Sequence, residues 1–259
     1  MKLDPAAAVA GVRLIERDTV GSTNTEALSF ARAGEHGPLW ITARVQSMGR
    51  GRRGRTWVSE PGNLYASLLL DRPSSPERAA ELSFVAALGV FDAVAMLAVS
   101  FEKRLALKWP NDVLVEGRKI SGILIEGEGP SVVVGIGVNC AHHPEDTAFP
   151  ATDLAALGAT VVVEALFWHL SATMMRRLAQ WNRGAGFEAV RADWLARAVG
   201  LGGSIRIALP DGDRAGLFET VDAYGRLVLR LPDGSSETIT AGDVFTFASE
   251  PSRLAAAGR

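Results

Sequence analysis

Two changes of hydrophobic period limit the fold of this chain more than any other feature. Up to about residue 139, the apolar residues come in short strand-like runs, such as "LWITARVQ" (39–46), "NLYASLLLD" (63–71) and "SVVVGIGVN" (131–139). From 160 to 183, "TVVVEALFWHLSATMMRRLAQWNR" repeats at helical spacing, and "FEAVRADWLARAVG" reads as a second helix closing near Gly200. After "LGG" the texture becomes short alternating strands split by Pro-Asp-Gly and Gly turns. That pattern predicts a small β-barrel of about 45–50 residues. The expected architecture is therefore α+β, with a mixed domain over residues 1–200, a barrel over 201–248 and a tail over 249–259.

Within the first domain, residues 11–20 read as a strand, followed by "GSTNTEALSFARAG", a helix that Ser22 or Thr23 can cap. "SSPERAAELSFVAALGVFDAVAML" reads as a helix with Ser75 at its cap and Pro76 in its first turn. "RLALKW", "DVLVEG" and "KISGILIEG" read as three strands, the last two joined by a turn at Gly117-Arg118. The longest apolar run, residues 84–99, carries Asp92 and is too short for a membrane span, and the N-terminus is a poor signal peptide. A soluble, cytoplasmic protein is expected.

Local charge departs from the average. The formal net charge is −2, so a large positive field for general nucleic-acid binding is missing. Yet "QSMGRGRRGRTW" (46–57) gathers Arg50, Arg52, Arg53 and Arg55 around Gly49, Gly51 and Gly54, with no acid between 41 and 59. Glycines let a backbone approach a ligand closely, and the guanidinium fork suits carboxylate and phosphate oxygens. A charge-assisted hydrogen bond contributes roughly 1.5–3 kcal/mol, so a few can offset repulsion and ordering. An anionic ligand is therefore favoured over a merely solvated basic loop. The Gly-Lys-Ser/Thr ending of a phosphate loop is missing, and aromatic interleaving is limited to Trp57.

Three further segments carry polar chemistry. In "KWPNDVLVEGRKISGILIEG", two of the chain's four lysines, Lys108 and Lys119, flank a hairpin, and Asn111 and Asp112 follow a strand-breaking proline. Asp112 could bind Mg²⁺ with phosphate oxygens, although "PND" alone is more often a plain turn. Gly122 within an apolar strand suggests close approach of another backbone or a ligand, and Gly135 and Gly137 leave one strand face bare, either for a flat ligand slot or for tight packing. In "GSTNTE", capping is the favoured role of Ser22, Thr23 and Asn24, and a polar ligand head is the other. His142 and His143 read as surface residues, and the single cysteine, Cys140, excludes a disulfide framework.

Taken in order, "GSTN", "GRGRRGRTW", "KWPNDV", "KISGIL" and "GIGVN" resemble the biotin–protein ligases, and "GLFETVDAYGRLVL…TITAGDV" resembles that family's SH3-like barrel. The resemblance implies a class II synthetase-like mixed sheet with flanking helices. It also implies activation of biotin by ATP to biotinyl-5′-AMP and transfer to a lysine of a biotin carboxyl carrier protein. Carried over by position, Ser22, Thr23, Asn24 and Gln46 would address the ureido head. Arg50, Gly51 and Arg52 would cover biotin and the adenylate phosphate, Lys119 would bridge the biotin carboxylate and the α-phosphate, and Gly122 and Gly135 would line the biotin slot. Arg55, Trp57, Asn111, Asp112 and Asn139 would face ATP and its Mg²⁺, with Phe149 over adenine.

The sequence also departs from the family pattern. Met48 stands where a small residue is common, residues 146–158 match the adenine-covering segment loosely, and too few residues precede "GSTN" for a winged helix-turn-helix, so no operator binding is expected. A lipoate–protein ligase of the same superfamily is the alternative enzyme, and a nucleic-acid-binding module the non-enzymatic one. Edge strands could pair two subunits as a homodimer.

Overall fold

The computed structural model describes residues 1–246; the expected tail and the last two residues of the expected barrel lie outside them. A short helix α1 (Pro5–Val9), with Pro5 in its first turn and the Asp4 carboxylate accepting from Ala6 N, leads into β1 (Arg13–Val20). Helix α2 (Thr23–Arg32), strands β2 (Leu39–Gln46) and β3 (Leu64–Asp71), and helix α3 (Leu82–Leu97) follow. Strands β4 (Leu105–Lys108), β5 (Asp112–Val115), β6 (Arg118–Glu128) and β7 (Ser131–Val138) complete a seven-stranded sheet in the order β1-β2-β3-β7-β6-β5-β4. Only the β1–β2 pair is parallel, so the sheet is mixed, as expected. Helices α4 (Val163–Trp181) and α5 (Phe187–Leu195) come next.

Alternation along the central strands assigns the two faces. Leu64, Ala66, Leu68, Val132, Val134, Ile136 and Val138 join the main core with α3 and α4. Leu39, Ile41, Leu69 and Val133 point the other way and pack with Ala27 and Leu28 of α2. The α2 side is shorter, which leaves the rest of that face open as a cleft. Gly89 lets α4 come close to α3, since a Cβ there would lie 2.7 Å from Met174 Sδ.

Some expectations need correction. The segment expected to start a helix at Pro76 begins as 3-10 turns (Pro76–Glu81) before α3. Together they run 22 residues, long and apolar enough to span a bilayer, contrary to the sequence estimate, but most of that length is buried as a core helix. Helix α5 ends at Leu195 rather than near Gly200, although Gly200 does adopt a positive φ of 83°. The β5–β6 turn is centred on Glu116 and Gly117, both at positive φ (51° and 73°), which fits the twist of a two-residue hairpin turn; Arg118 already belongs to β6.

The C-terminal strands β8 (Ser204–Ala208), β9 (Arg214–Val221), β10 (Leu227–Arg230), β11 (Ser236–Ile239) and β12 (Asp243–Thr246) form an antiparallel sheet in the order β11-β10-β9-β8-β12. Ile205, Ile207, Phe218, Val221, Leu227, Leu229 and Val244 are buried and continuous with the main core. Trp109 Nε1 donates to Gly225 O at 3.0 Å, tying the end of β4 to this unit.

Candidate active site

The uncovered sheet face is organised as rows across the strands. Lys108 opposes Asp112, Asp112 opposes Gly122, Gly122 opposes Gly137 and Gly137 opposes Tyr65. The neighbouring row runs Leu124, Gly135, Ser67. The bare glycine face is used within the protein itself. A Cβ on Gly137 would lie 2.5 Å from Trp57 Cε2, one on Gly122 2.9 Å from Trp57 Cζ3, and one on Gly135 2.2 Å from Asn24 Oδ1. Glycine is thus required by the indole of Trp57 and the amide of Asn24, and these two side chains form part of the slot.

Lys119 reaches this face through an irregularity. Ser121 pairs with Val113 but Lys119 pairs with Leu114, so Ile120 is an extra residue in β6, a β-bulge that re-aims the side chains beyond it. Lys119 Nζ lies 2.6 Å from Asp112 Oδ1, and Lys108 Nζ lies 2.9 Å from Asp112 Oδ2. Asp112 and Lys108 are buried and Lys119 is about one-quarter exposed. Burial by itself would raise the Asp112 pKa, but the two ammonium groups outweigh it and hold the carboxyl well below the usual carboxylate range. The backbone of Lys119 carries a second load: its N–H donates to Pro150 O at 2.8 Å and its carbonyl accepts from Thr152 N at 2.9 Å. This lays residues 149–152 beside β6 and brings the Phe149 ring under Lys108 Nζ, 4.2 Å from the centroid. Asn139 braces the same strip, donating from Nδ2 to Thr152 O at 3.1 Å.

The expected helix cap takes an unexpected form. Ser22 is the N-cap residue of α2, but its hydroxyl makes no capping bond. Gln46, at the end of β2, supplies the acceptor instead: its Oε1 accepts from Thr23 N at 2.8 Å and from Thr23 Oγ1 at 3.1 Å. Its Nε2 donates to Ser59 Oγ at 2.9 Å. The buried Ser67 hydroxyl lies 2.8 Å from Thr23 Oγ1 and 2.6 Å from Asn24 Oδ1. Every member of this polar cluster is fixed by another.

The arginine-rich segment folds back on itself. Arg50 and Thr56 form an antiparallel bridge, Gly51 N donates to Arg55 O at 2.7 Å, and Arg53 turns the chain at a φ of 56°. The acids missing nearby in sequence arrive from elsewhere. Arg50 meets Glu126 at 3.1 Å, Arg53 and Arg55 meet Asp243 of the barrel at 3.2 and 2.9 Å, and Arg52 donates to Asn111 Oδ1 at 3.0 Å. Burial lowers the pKa of Arg52, partly offset by Asp243 and Asp112. Met48, whose packing the sequence does not explain, is exposed, with its methyl group next to Gly21.

Most of these groups face one cleft of about 400 Å³, with Ser59, Ser67 and Glu126 behind its lining. It is lined by each residue singled out from the sequence: Ser22, Thr23, Asn24, Gln46, Arg50, Gly51, Arg52, Arg55, Trp57, Asn111, Asp112, Lys119, Gly122, Gly135, Asn139 and Phe149. Lys108 and Gly137, marked in the sequence without an assigned ligand, line it too, and so do Asp243 and Phe245, which were not singled out. Phe245 sits 6.3 Å from Phe149, centroid to centroid, so the barrel contributes one wall. No sequence signal marked Asp243 or Phe245. His143, expected at the surface, is half-buried and pairs through Nδ1 with Asp153 at 2.5 Å.

As a metal site the cleft fits poorly. Both Asp112 oxygens are already engaged by lysines, and among the described residues no group of three or more His, Cys, Asp or Glu converges. Mg²⁺ prefers an oxygen octahedron, so the donors here suit an ion carried mainly by phosphate oxygens rather than a resident one.

Comparison with known proteins agrees with this layout. Residues 16–141 match the Biotin/lipoate A/B protein ligase family, and residues 200–246 match the biotin protein ligase C terminal domain. A biotin--[acetyl-CoA-carboxylase] ligase of Paracoccus denitrificans is 43% identical over 235 residues, covering 86% of this chain and 96% of the relative. One from Mycobacterium tuberculosis is 36% identical over 233 residues, covering 86% and 85%. The solved biotin protein ligase from Aquifex aeolicus in complex with biotin and ATP superposes with a TM-score of 0.78 at 26% identity, covering 90% of this chain and 97% of that one. With both of its regions matched and relatives 43% and 36% identical along most of their length, the chain belongs to the biotin protein ligase family.

Proposed function

We propose that this enzyme activates biotin with ATP to biotinyl-5′-AMP and transfers the biotinyl group to a lysine of a biotin carboxyl carrier protein. The observation that carries this reading is the meeting of Lys119 and the Arg50–Arg55 hairpin in one cleft whose far end is a buried neutral polar cluster. Biotin has the matching shape: a neutral ureido head and a carboxylate at the other end. The head faces Ser22, Thr23 and Gln46, with Asn24 behind them, and the ring and tail run along Gly122 and Gly135.

The first step joins two anions. A biotin carboxylate oxygen forms a bond to the α-phosphorus as the bond to the bridging oxygen breaks, and pyrophosphate leaves. Lys119, with Arg50 and Arg52, supplies fixed positive charge where the carboxylate and α-phosphate meet, so their repulsion and the charge moving to the leaving group are offset. Arg55, Trp57, Asn111, Asp112 and Asn139 face the nucleotide, and Phe149 covers adenine. A Mg²⁺ carried by the ATP phosphates would offset part of their charge, while both Asp112 oxygens stay on Lys108 and Lys119. Gly51 and its neighbours close over the mixed anhydride and keep water away. In the second step the carrier's lysine amine attacks the acyl carbon, an amide forms, AMP leaves and the nitrogen loses a proton. No covalent enzyme nucleophile is required, and burial pushes the Cys140 thiol up to about 12, far from nucleophilic use. Both substrates belong to the cytoplasm.

The test is transfer of labelled biotin, with labelled lipoate in parallel, from ATP to a carrier domain. Biotin is expected to transfer; transfer of lipoate alone overturns the reading. Lys119→Ala is expected to lower biotinyl-AMP formation on the order of a hundredfold or more, the cost of removing one preorganised charge-stabilising group, and to keep the native circular dichroism spectrum.

A further inference from the structure

Glu126 is assigned no role above, yet it sits where the two halves of the site touch. It is on β6, opposite Val133, two residues beyond Leu124 and on the cleft side of the sheet. One of its oxygens, Oε2, accepts from Asn24 Nδ2 at 2.8 Å and from Arg50 Nη2 at 3.1 Å. The same Arg50 nitrogen donates to Thr25 Oγ1 at 3.1 Å, so Arg50 rests on both β6 and the first turn of α2. Asn24 is buried, with Oδ1 on Ser67 and the missing Cβ of Gly135 against its amide. Its Nδ2 also reaches Leu124 O, at the longer distance of 3.4 Å, so the nearer, anionic oxygen of Glu126 does most to set which way the amide faces. From Arg50 contacts at hydrogen-bond distance lead through Glu126, Asn24, Ser67 and Thr23 to Gln46, with the two hydroxyl protons of Ser67 and Thr23 shared among the last three.

We propose that Glu126 is a positioning residue that couples the polar head end of the cleft to the arginine hairpin. It orients Asn24 and holds Arg50 near the cleft mouth before any ligand arrives. The proposal rests on the reading of the cleft as a biotin and ATP site. Its physical content is preorganisation. A hairpin already tethered on one side loses less freedom when it closes, so the ligand spends less of its binding energy on ordering it. The tether is weak enough to be exchanged, because Arg50 is 43% and Glu126 25% exposed and such pairs are screened by water. A ligand carboxylate or phosphate can therefore draw Arg50 inward while Glu126 stays with Asn24.

The two functions separate by substitution. Glu126→Gln keeps an amide oxygen for Asn24 Nδ2 and removes the charge that holds Arg50. Glu126→Ala removes both. The first measurement uses no ligand: trypsin cleavage within residues 50–55 of the full chain. Glu126→Gln is expected to speed it about two- to fivefold, the range that an exposed ion pair supports. In an Arg50→Ala background the same substitution is expected to add nothing, because the tether is already gone. The second measurement is the biotin dissociation constant together with the KM for ATP. Glu126→Gln is expected to weaken biotin about two- to fivefold, and Glu126→Ala about tenfold or more, since a buried amide then loses its short, charged acceptor and keeps only Leu124 O at 3.4 Å. The KM for ATP is expected to stay within about twofold of the wild-type value, because Arg50 is one of several cations proposed to face the nucleotide and Arg52 and Arg55 keep their own partners, Asn111 and Asp243.

Unchanged cleavage and unchanged biotin affinity in Glu126→Gln, with the wild type binding biotin, overturn the coupling and leave the proposed function standing. A parallel rise in both constants together with a lower melting temperature also overturns it, since Glu126 is then a general structural support. A wild type that binds no biotin overturns the proposed function, while the ligand-free cleavage arm still decides the tether.

Discussion

At the head end of the cleft, Thr23, Gln46, Ser59 and Ser67 are joined by neutral hydrogen bonds between buried or half-buried side chains. At the nucleotide end, Arg53 and Arg55 meet Asp243 through pairs whose cations are 35% and 54% exposed. The contrast follows from what each end must do. Neutral groups out of water cost little to hold and recognise shape and polarity, so that end can be finished before the ligand arrives. Charges kept near water can change partners at small cost. The Asp112 centre lies between the two and shares features with both: charged like the hairpin, buried like the head end.

That intermediate position makes Asp112 the place where the comparison breaks most visibly. Asp112→Asn leaves the ammonium groups of Lys108 and Lys119 facing each other without a counter-charge. A loss of about 3–5 kcal/mol in urea unfolding is expected, the usual cost of breaking a buried pair from one side, with little relief from added salt. The acid limb should change too. The folded Asp112 carboxyl lies below its ordinary 3.8, so its share of stability is complete above that value and is lost as pH falls through and below it. In Asp112→Asn that portion of the acid unfolding curve should be missing.

A substitution on the sheet floor is expected to be intermediate. Gly137→Ala places a Cβ 2.5 Å from the Trp57 ring, on a backbone that cannot give way. The indole should lift from its seat, with a stability loss of about 1–3 kcal/mol. Adenylate formation should fall on the order of a hundredfold, as when a group is misplaced by about an ångström. A normal rate would mean that the Trp57 seat is packing alone.

The smallest effect belongs to the exposed end. Asp243→Asn should lower stability by less than about 1 kcal/mol, and the difference should fade as salt is raised. A loss as large as that of Asp112→Asn would mean that the barrel contact is structural and that the contrast between the ends is false.

The sequence carried much of this site because its chemistry is local. Glycine beside arginine, Pro-Asn-Asp at a strand end and two glycines in an apolar strand all name their positions without knowledge of the fold, and the residues of β2 could be read directly. What stayed hidden depends on distance along the chain. Glu126 lies 76 residues from Arg50, and Asp243 lies 188 from Arg55, so no window of sequence holds both partners. The bulge at Ile120 was equally invisible, because "KISGIL" alternates acceptably with or without an extra residue. Capping was expected of Ser22 or Thr23 from their place before the helix, while the real acceptor, Gln46, comes from the next strand. The bare face of Gly137 suggested a floor for a ligand, but nothing in the sequence said that Trp57 would lie on it.

Lys119 turns its side chain to the cleft, where we propose that it serves the reaction, and anchors residues 149–152 with its main chain. On the proposed function, the cover over the purine and the ammonium at the reacting centre are therefore held by opposite ends of a single amino acid. Any nucleotide that leaves that cover unsettled will be felt at the ammonium within a few bonds. A bare polyphosphate, which offers no base to cover, should lose more than the binding energy of the missing ring, because the charge that drives the chemistry would also be less well placed.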